Sequence, residues 1–174
     1  RSAEAGLGFA FAGQINPDEA VPMLRLYREL FQPSELWSEP YAILGHNAIV
    51  AATDEEAQRL AAPSRVAFRR LRSGRPTPLP SVQDALAEDR PPRPPANGIE
   101  GLRMITGSPA AVREILDELL ARSGADELML MCSTHDPADR IRSYELLAVE
   151  LGLGAAAGDQ VAGEPASAAA IRSA

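Results

Sequence analysis

Apolar and polar positions in this chain switch repeatedly between a helical and a strand period. Val112, Ile115, Leu116, Leu119 and Leu120 fall at i, i+3, i+4, i+7 and i+8, one face of a helix. Ser108 stands at its N-cap, Pro109 at its first position, and Gly124 at its left-handed stop. The unbroken apolar run Leu128–Cys132 then predicts a strand buried on both faces, and Asp136-Pro137 starts another helix that ends near Leu151. The same pattern runs earlier in the chain. Arg1–Ala5 reads as a helix end, Gly6 as its stop, and Leu7–Ala12 as a strand. Asn16-Pro17 opens a helix whose core face is Ala20, Leu24, Tyr27 and Phe31. Tyr41–Ala52 is a second strand, interrupted by Gly45-His46-Asn47. Thr53 with Glu56 makes a capping box, and the helix behind it runs to about Leu71, with Pro63 expected to break or kink it. Leu102–Ile105 supplies a third strand.

Strand–helix alternation, repeated four times, predicts an α/β fold with a parallel sheet and right-handed crossovers. Four such units make half of a (β/α)8 barrel; a closed barrel takes about 250 residues, more than this chain has. The predicted division is a partial barrel over residues 1–151 and a disordered Gly/Ala-rich tail over 152–174. Residues 73–98 carry seven prolines and form a Pro-rich insertion, with one or two helical turns at Val82–Glu88.

Composition narrows the function classes. The net charge of −7 disfavours nucleic acid and anionic membrane surfaces as partners. A single cysteine, Cys132, excludes an internal disulfide and a cysteine-rich zinc site, and the two histidines have no acidic pair at ligand spacing, so no metal is expected. No stretch approaches the roughly 20 apolar residues of a membrane span, and no signal-peptide pattern is present, which makes cytoplasm the expected compartment. All 17 basic residues are arginine, a bias that fits a GC-rich coding sequence better than a function. The chain opens at Arg1 in mid-helix by pattern, as a fragment would.

Three segments in order carry a family resemblance: Gly6–Ser34 (GLGFAFAGQINPDEAVPMLRLYRELFQPS), Glu39–Ala61 (EPYAILGHNAIVAATDEEAQRLA) and Ile105–Ala148, with its GSPAAV turn, GADELMLM strand and closing RIRSYELLA helix. Together they resemble the carboxyl-terminal half of the bacterial-luciferase-like, flavin-dependent monooxygenases. The resemblance implies a barrel that binds FMN, or the deazaflavin F420 in some branches, at the carboxyl ends of its strands. It implies an enzyme that oxygenates a small organic substrate with reduced flavin and O2. In that family the flavin phosphate and the catalytic histidine of the luciferases belong to the first half. The chain alone is therefore expected to bind flavin poorly and to lack activity, and no catalytic residue is assigned on it. The expected partners are flavin, substrate, and either a missing amino-terminal half or a second copy. The alternative is a non-catalytic half-barrel, a structural or interaction module; a free-standing α/β ligand-binding domain is a third.

The resemblance places the loop Gly13-Gln14-Ile15 against the flavin ring; the plain reading is a strand-to-helix turn. His46, Cys132, Ser133 and His135 are candidate pocket-lining residues, polar groups near the ends of two predicted strands. For His46 and Asn47 together the functional reading is a polar group aimed into the barrel mouth, and the competing reading is a satisfied polar pair near the strand end. A Cys132–His135 nucleophile–base pair has no accompanying hydrolase pattern. Arg65, Arg69, Arg70, Arg72 and Arg75 form a basic run that could attract an anion, though a solvated face paired with Glu55, Glu56 and others is the simpler reading. The Gly107-Ser108-Pro109 turn is read as capping.

Overall fold

The computed structural model describes residues 1–90 and 98–153, apart from the side chain of Glu100. The elements are β1 (Phe9–Ala12), α1 (Pro17–Leu30), β2 (Ala42–Val50), α2 (Asp54–Arg72), α3 (Val82–Glu88), a 3-10 turn (Gly98–Gly101), β3 (Ile105–Gly107), α4 (Pro109–Ser123), β4 (Glu127–Met131) and α5 (Pro137–Glu150). The proposed tail lies almost wholly outside the described residues, as does part of the Pro-rich insertion.

All four strands pair in parallel, and β2 is the hub. Its first half pairs with β1 (Phe9 opposite Ala42) and with β4 (Ile43 opposite Glu127), while β3 takes its last three residues (Ala48 opposite Ile105). A strictly sequential order would put β3 between β2 and β4. With only three residues, β3 occupies just the far end of the nine-residue β2, and β4 reaches the near end directly.

The pleat sends alternate side chains to opposite faces. One face is covered by helices. Leu24, Ala20 and Tyr27 of α1 pack on Ala42 and Leu44, and Val112, Leu116 and Leu119 of α4 with Leu147 of α5 pack on Ala48, Val50 and Ile105. On the other face Ile49 and Ala51 meet Ala57, Leu60 and Ala61 of α2, with Cys132 between them. The rest of that second face is open. The register lines up Ala10, Ile43 and Glu127, then Ala12, Gly45 and Met129, then Asn47 and Met131. Ala10, Ala12 and Glu127 are exposed, Met129 and Met131 remain 54% and 41% exposed, and Ile43 and Gly45 are only half-buried.

Local chemistry accounts for most boundaries. Thr53 Oγ1 accepts the Glu56 N–H at 3.2 Å, Asp136 Oδ1 accepts the Ala138 N–H at 2.8 Å, and Gly124 ends α4 at φ 65°. Ser108 differs from expectation. Its side chain makes no cap bond; instead its N–H donates to Asp54 Oδ1 at 2.7 Å, tying the start of α2 to the turn before α4. Arg1–Gly6 is a series of turns rather than a helix end. α2 is not ended by Pro63: the ring is fully buried, and the packing outweighs the one backbone bond it removes. The third strand starts at Ile105 rather than Leu102, because only from Ile105 does the chain run beside Ala48–Val50.

Candidate functional site

β1 and β4 end level with the middle of β2, at Ala12 opposite Gly45 and Met131 opposite Asn47. Above that level the sheet continues only as the far half of β2 with β3. A cavity of about 700 Å³ opens there, between the sheet, the exposed flank of α2 and the segment leading into β3. Its floor is Gln14, Asn47 and Thr106; its walls are Gln58, Ser64, Phe68 and a set of arginines, with residues 101–104 as the rim.

Gln14 is held from both sides. Gly13 behind it is buried, and a Cβ there would lie 2.9 Å from the Gly45 carbonyl oxygen and 3.0 Å from Leu44 Cδ1, so only glycine fits. The Gln14 and Ile15 carbonyls accept from Arg103 Nη1 at 3.1 and 2.6 Å. The Gln14 side chain folds back over Gly45, where Oε1 is buried with no hydrogen-bond partner among the described residues. A buried unpaired amide oxygen costs about 1–3 kcal/mol, so such an atom calls for a ligand or water.

Asn47 lines the cavity and His46 does not, because neighbours on a strand face opposite ways. His46 shares the parity of Leu44 and Ala48, is 2% exposed, and has its Nδ1 3.1 Å from the Asn47 carbonyl oxygen. Burial depresses its pKa below the ordinary 6.5, only partly opposed by backbone contacts with Asn47 and Leu102.

Cys132, Ser133 and His135 lie past the end of β4, outside the cavity. The Cys132 thiol sits against the aliphatic side chains of α2; burial raises its pKa, with Ser143 and Thr134 hydrogen bonds opposing less strongly. Such a thiol stays protonated and is a poor nucleophile. The Ser133 carbonyl accepts from Ser64 Oγ, which fixes α2 over the strand end. His135 is exposed and engages the Leu79 carbonyl oxygen at 3.1 Å. Ile15 exposes 69% of its surface and contributes its carbonyl rather than its side chain. No group of three His, Cys, Asp or Glu side chains that could hold a metal occurs among the described residues.

The basic run of α2 divides by helical spacing. Arg65, Arg69 and Arg72, at i, i+4 and i+7, face the cavity together with Phe68. Arg65 is bridged by Asp89 at 2.5 Å and also reaches the Gln58 carbonyl and side-chain oxygens; Arg70 turns away to Glu88 at 2.6 Å. The acidic partners are thus Asp89 and Glu88, reached through the α3 turn, rather than Glu55 and Glu56 at the start of α2. Arg103 completes the ring of cations, its guanidinium 4.7 Å above the Phe68 ring. The sequence marks Asn47 only jointly with His46, as the polar interruption of β2 aimed at the mouth, and the structure assigns the cavity to Asn47. Gln58, Phe68 and Arg103 carry no pocket signal of their own, although the helical spacing of the α2 arginines would have given Phe68.

No family model matches the chain. It is 40% identical over 147 residues to the uncharacterized protein YvbT of Bacillus subtilis (strain 168), covering 83% of this chain and 44% of that protein. It is 34% identical over 146 residues to a luciferase-like monooxygenase of Escherichia coli (strain K12), with the same two coverages. Its structure superposes on crystalline apo-MsnO8 with a TM-score of 0.78 at 37% identity, over 87% of this chain and 47% of that one. The fold alone is shared with the oxygenating constituent of 3,6-diketocamphane monooxygenase from Pseudomonas putida, solved in complex with FMN (TM-score 0.50, 23% identity, 84% and 42% coverage). The chain spans about 44% of the length of these curated relatives, consistent with a carboxyl-terminal half. In sequence and in fold, the chain matches the carboxyl-terminal half of luciferase-like monooxygenases.

Proposed function

We propose that the chain is the carboxyl-terminal half of a cytoplasmic flavin-dependent monooxygenase, and that it supplies one wall of the flavin and substrate site. The observation that carries this reading is the unpartnered Gln14 Oε1, buried over Gly45 at the carboxyl ends of β1 and β4. A flavin ring system presents one N–H donor between two carbonyls, and an amide side chain is its natural complement. Gln14 and Asn47 are the amides available, and the absence of side chains at Gly13 and Gly45 lets Gln14 lie flat on the sheet. A reduced flavin bound there would supply the electrons with which O2 is activated for transfer of one oxygen atom to the substrate. The chain's own part is to bind and orient. Arg103 locks the Gln14 loop through two carbonyls, and the apolar side chains of the open sheet face exclude water once covered. FMN is the flavin proposed, with the deazaflavin F420 as the alternative.

The open face also supports a covering partner. Met129, Met131, Ala10 and Ala12 form an exposed apolar sheet surface of the kind a barrel interior buries. An amino-terminal half fits that need, and a second copy is the competing partner. The structural-module reading rests on the same face without flavin. Equilibrium dialysis of FMN against the chain joined to an amino-terminal half from a full-length relative tests the proposal. Wild-type protein retains FMN, and Gln14→Leu, which removes the acceptor at constant size, retains it at least fivefold less tightly. Equal retention by both proteins contradicts the role given to Gln14.

A further inference from the structure

The cavity above the sheet is cationic in an acidic protein. Arg65, Arg69, Arg72, Arg90 and Arg103 line it, and no Asp or Glu does among the described residues. The chain as a whole carries −7. The positive charge is also unevenly spent. Arg65 is neutralised by Asp89, which is 6% exposed and turned toward the α2–α3 contact. Among the described residues, the Arg69 side chain donates only to the Glu88 carbonyl oxygen at 2.7 Å, and the Arg103 side chain donates only to the two loop carbonyls while its guanidinium lies over the Phe68 ring. None of these neutral partners cancels a unit charge. The Arg72 side chain has no hydrogen bond or ion pair with another described residue. Low-dielectric walls on two sides focus such a potential into the cavity. Phe68, 38% exposed, lies beside the cations and offers an aromatic surface.

We propose that this cavity takes the acidic group of an organic substrate, a carboxylate or a comparable anion attached to a planar or aromatic body. The anion sits among Arg69, Arg72 and Arg103, and the body lies on Phe68 toward Gln14 and Asn47. Guanidinium groups suit the task because their planar forks match a carboxylate with two parallel N–H donors. Only the word substrate rests on the flavin-dependent reading above; the anion site itself rests on the arginines.

Isothermal titration calorimetry with a flavin-free probe separates the two. 1-Naphthoate and its uncharged counterpart 1-naphthamide are titrated into the wild-type chain and into Arg72→Gln and Arg69→Gln. The naphthoate is expected to bind at least tenfold tighter than the amide, and each substitution to reduce that preference about tenfold or to erase it, the usual loss for one charge-assisted hydrogen bond. Added salt weakens naphthoate binding and leaves the amide unchanged. Equal affinities for the two probes, no binding of either, or a preference that survives both substitutions overturns the proposal. Competition arms identify the source of the anion. Displacement of naphthoate by FMN and not by riboflavin would assign the arginines to the flavin phosphate and overturn the substrate reading. Retention of naphthoate in the presence of FMN supports it. Because the probes carry no flavin, their failure leaves flavin binding by Gln14 untouched, and failure of flavin to bind leaves the naphthoate result standing.

Discussion

Gly13 is the residue on which the site geometry turns most directly. Its missing side chain lets the loop after β1 pass over Gly45, and that passage delivers Gln14 to the cavity floor. Gly13→Ala places a methyl 2.9 Å from a backbone oxygen that cannot yield without moving β2. The expected cost is about 1–3 kcal/mol of folding stability, read as a lower urea midpoint at unchanged slope. Wild-type stability in that variant would show that the loop has slack. His46 makes a second prediction at this scale. Burial lowers its folded-state pKa below the 6.5 of the free side chain, so between the two values the unfolded chain binds more protons than the folded one. Its contribution is intact above pH 6.5 and is lost as pH falls through the region below it. His46→Gln should flatten the stability–pH curve there. Asp54 acts the same way at lower pH: hydrogen bonds from Ser108 hold it below the ordinary 3.8, so its contribution is lost as pH falls beneath that value. Sequence showed that a polar residue interrupts β2 but not which way it points. His46 and Asn47 are adjacent, and only the register of β2 against β1 and β4 decides that one faces the helices and the other the cavity.

Elements were legible where they carry their own signals. The α4 face, its Gly124 stop, the Thr53 and Asp136 caps and the position of the apolar β4 run are all encoded within a few residues, and the structure places each close to where the pattern does; β4 is not buried on both faces as its unbroken apolar run predicted, because nothing among the described residues covers Met129 and Met131. What could not be read locally depends on distant partners. Ser108 gives up its cap role because Asp54, far away in sequence, reaches its N–H. Pro63 stays in α2 because the core packs its ring. The α2 arginines sort themselves by whether α3 brings Asp89 or Glu88 to them, and α3 lies in a proline-rich stretch with no strong pattern. That docking yields a prediction at the scale of elements. Arg65 and Asp89 are 11% and 6% exposed, so Asp89→Asn strands a buried guanidinium. The loss should be about 3 kcal/mol, moderated by the two Gln58 oxygens that still accept from Arg65. Chemical denaturation checks the size of the loss. Faster backbone hydrogen exchange confined to Val82–Glu88 would show that α3 is the element released.

At the scale of the molecule, the central fact is a parallel sheet with one face clothed by helices and the other half bare. The first face holds the core of the fold; the second leaves Met129, Met131, Ala10 and Ala12 exposed, and it is the face the proposed partner would cover. Sequence alternation carried the strand and helix order, and three ordered sequence segments carried the family resemblance. It did not carry the direct pairing of β4 with β2, because pairing partners are chosen by length and reach rather than by composition. The cavity lies at the rim of the bare face, so flavin binding is expected to depend on covering that face. Quenching of FMN fluorescence tests this most directly, with the 174-residue chain titrated alone and then with an equimolar amino-terminal half from a full-length relative. Weak or no quenching is expected with the chain alone, and saturable quenching with the mixture. Tight, saturable binding by the chain alone would contradict it, because the Gln14 wall would then be a sufficient site and the bare face would have no part in holding flavin.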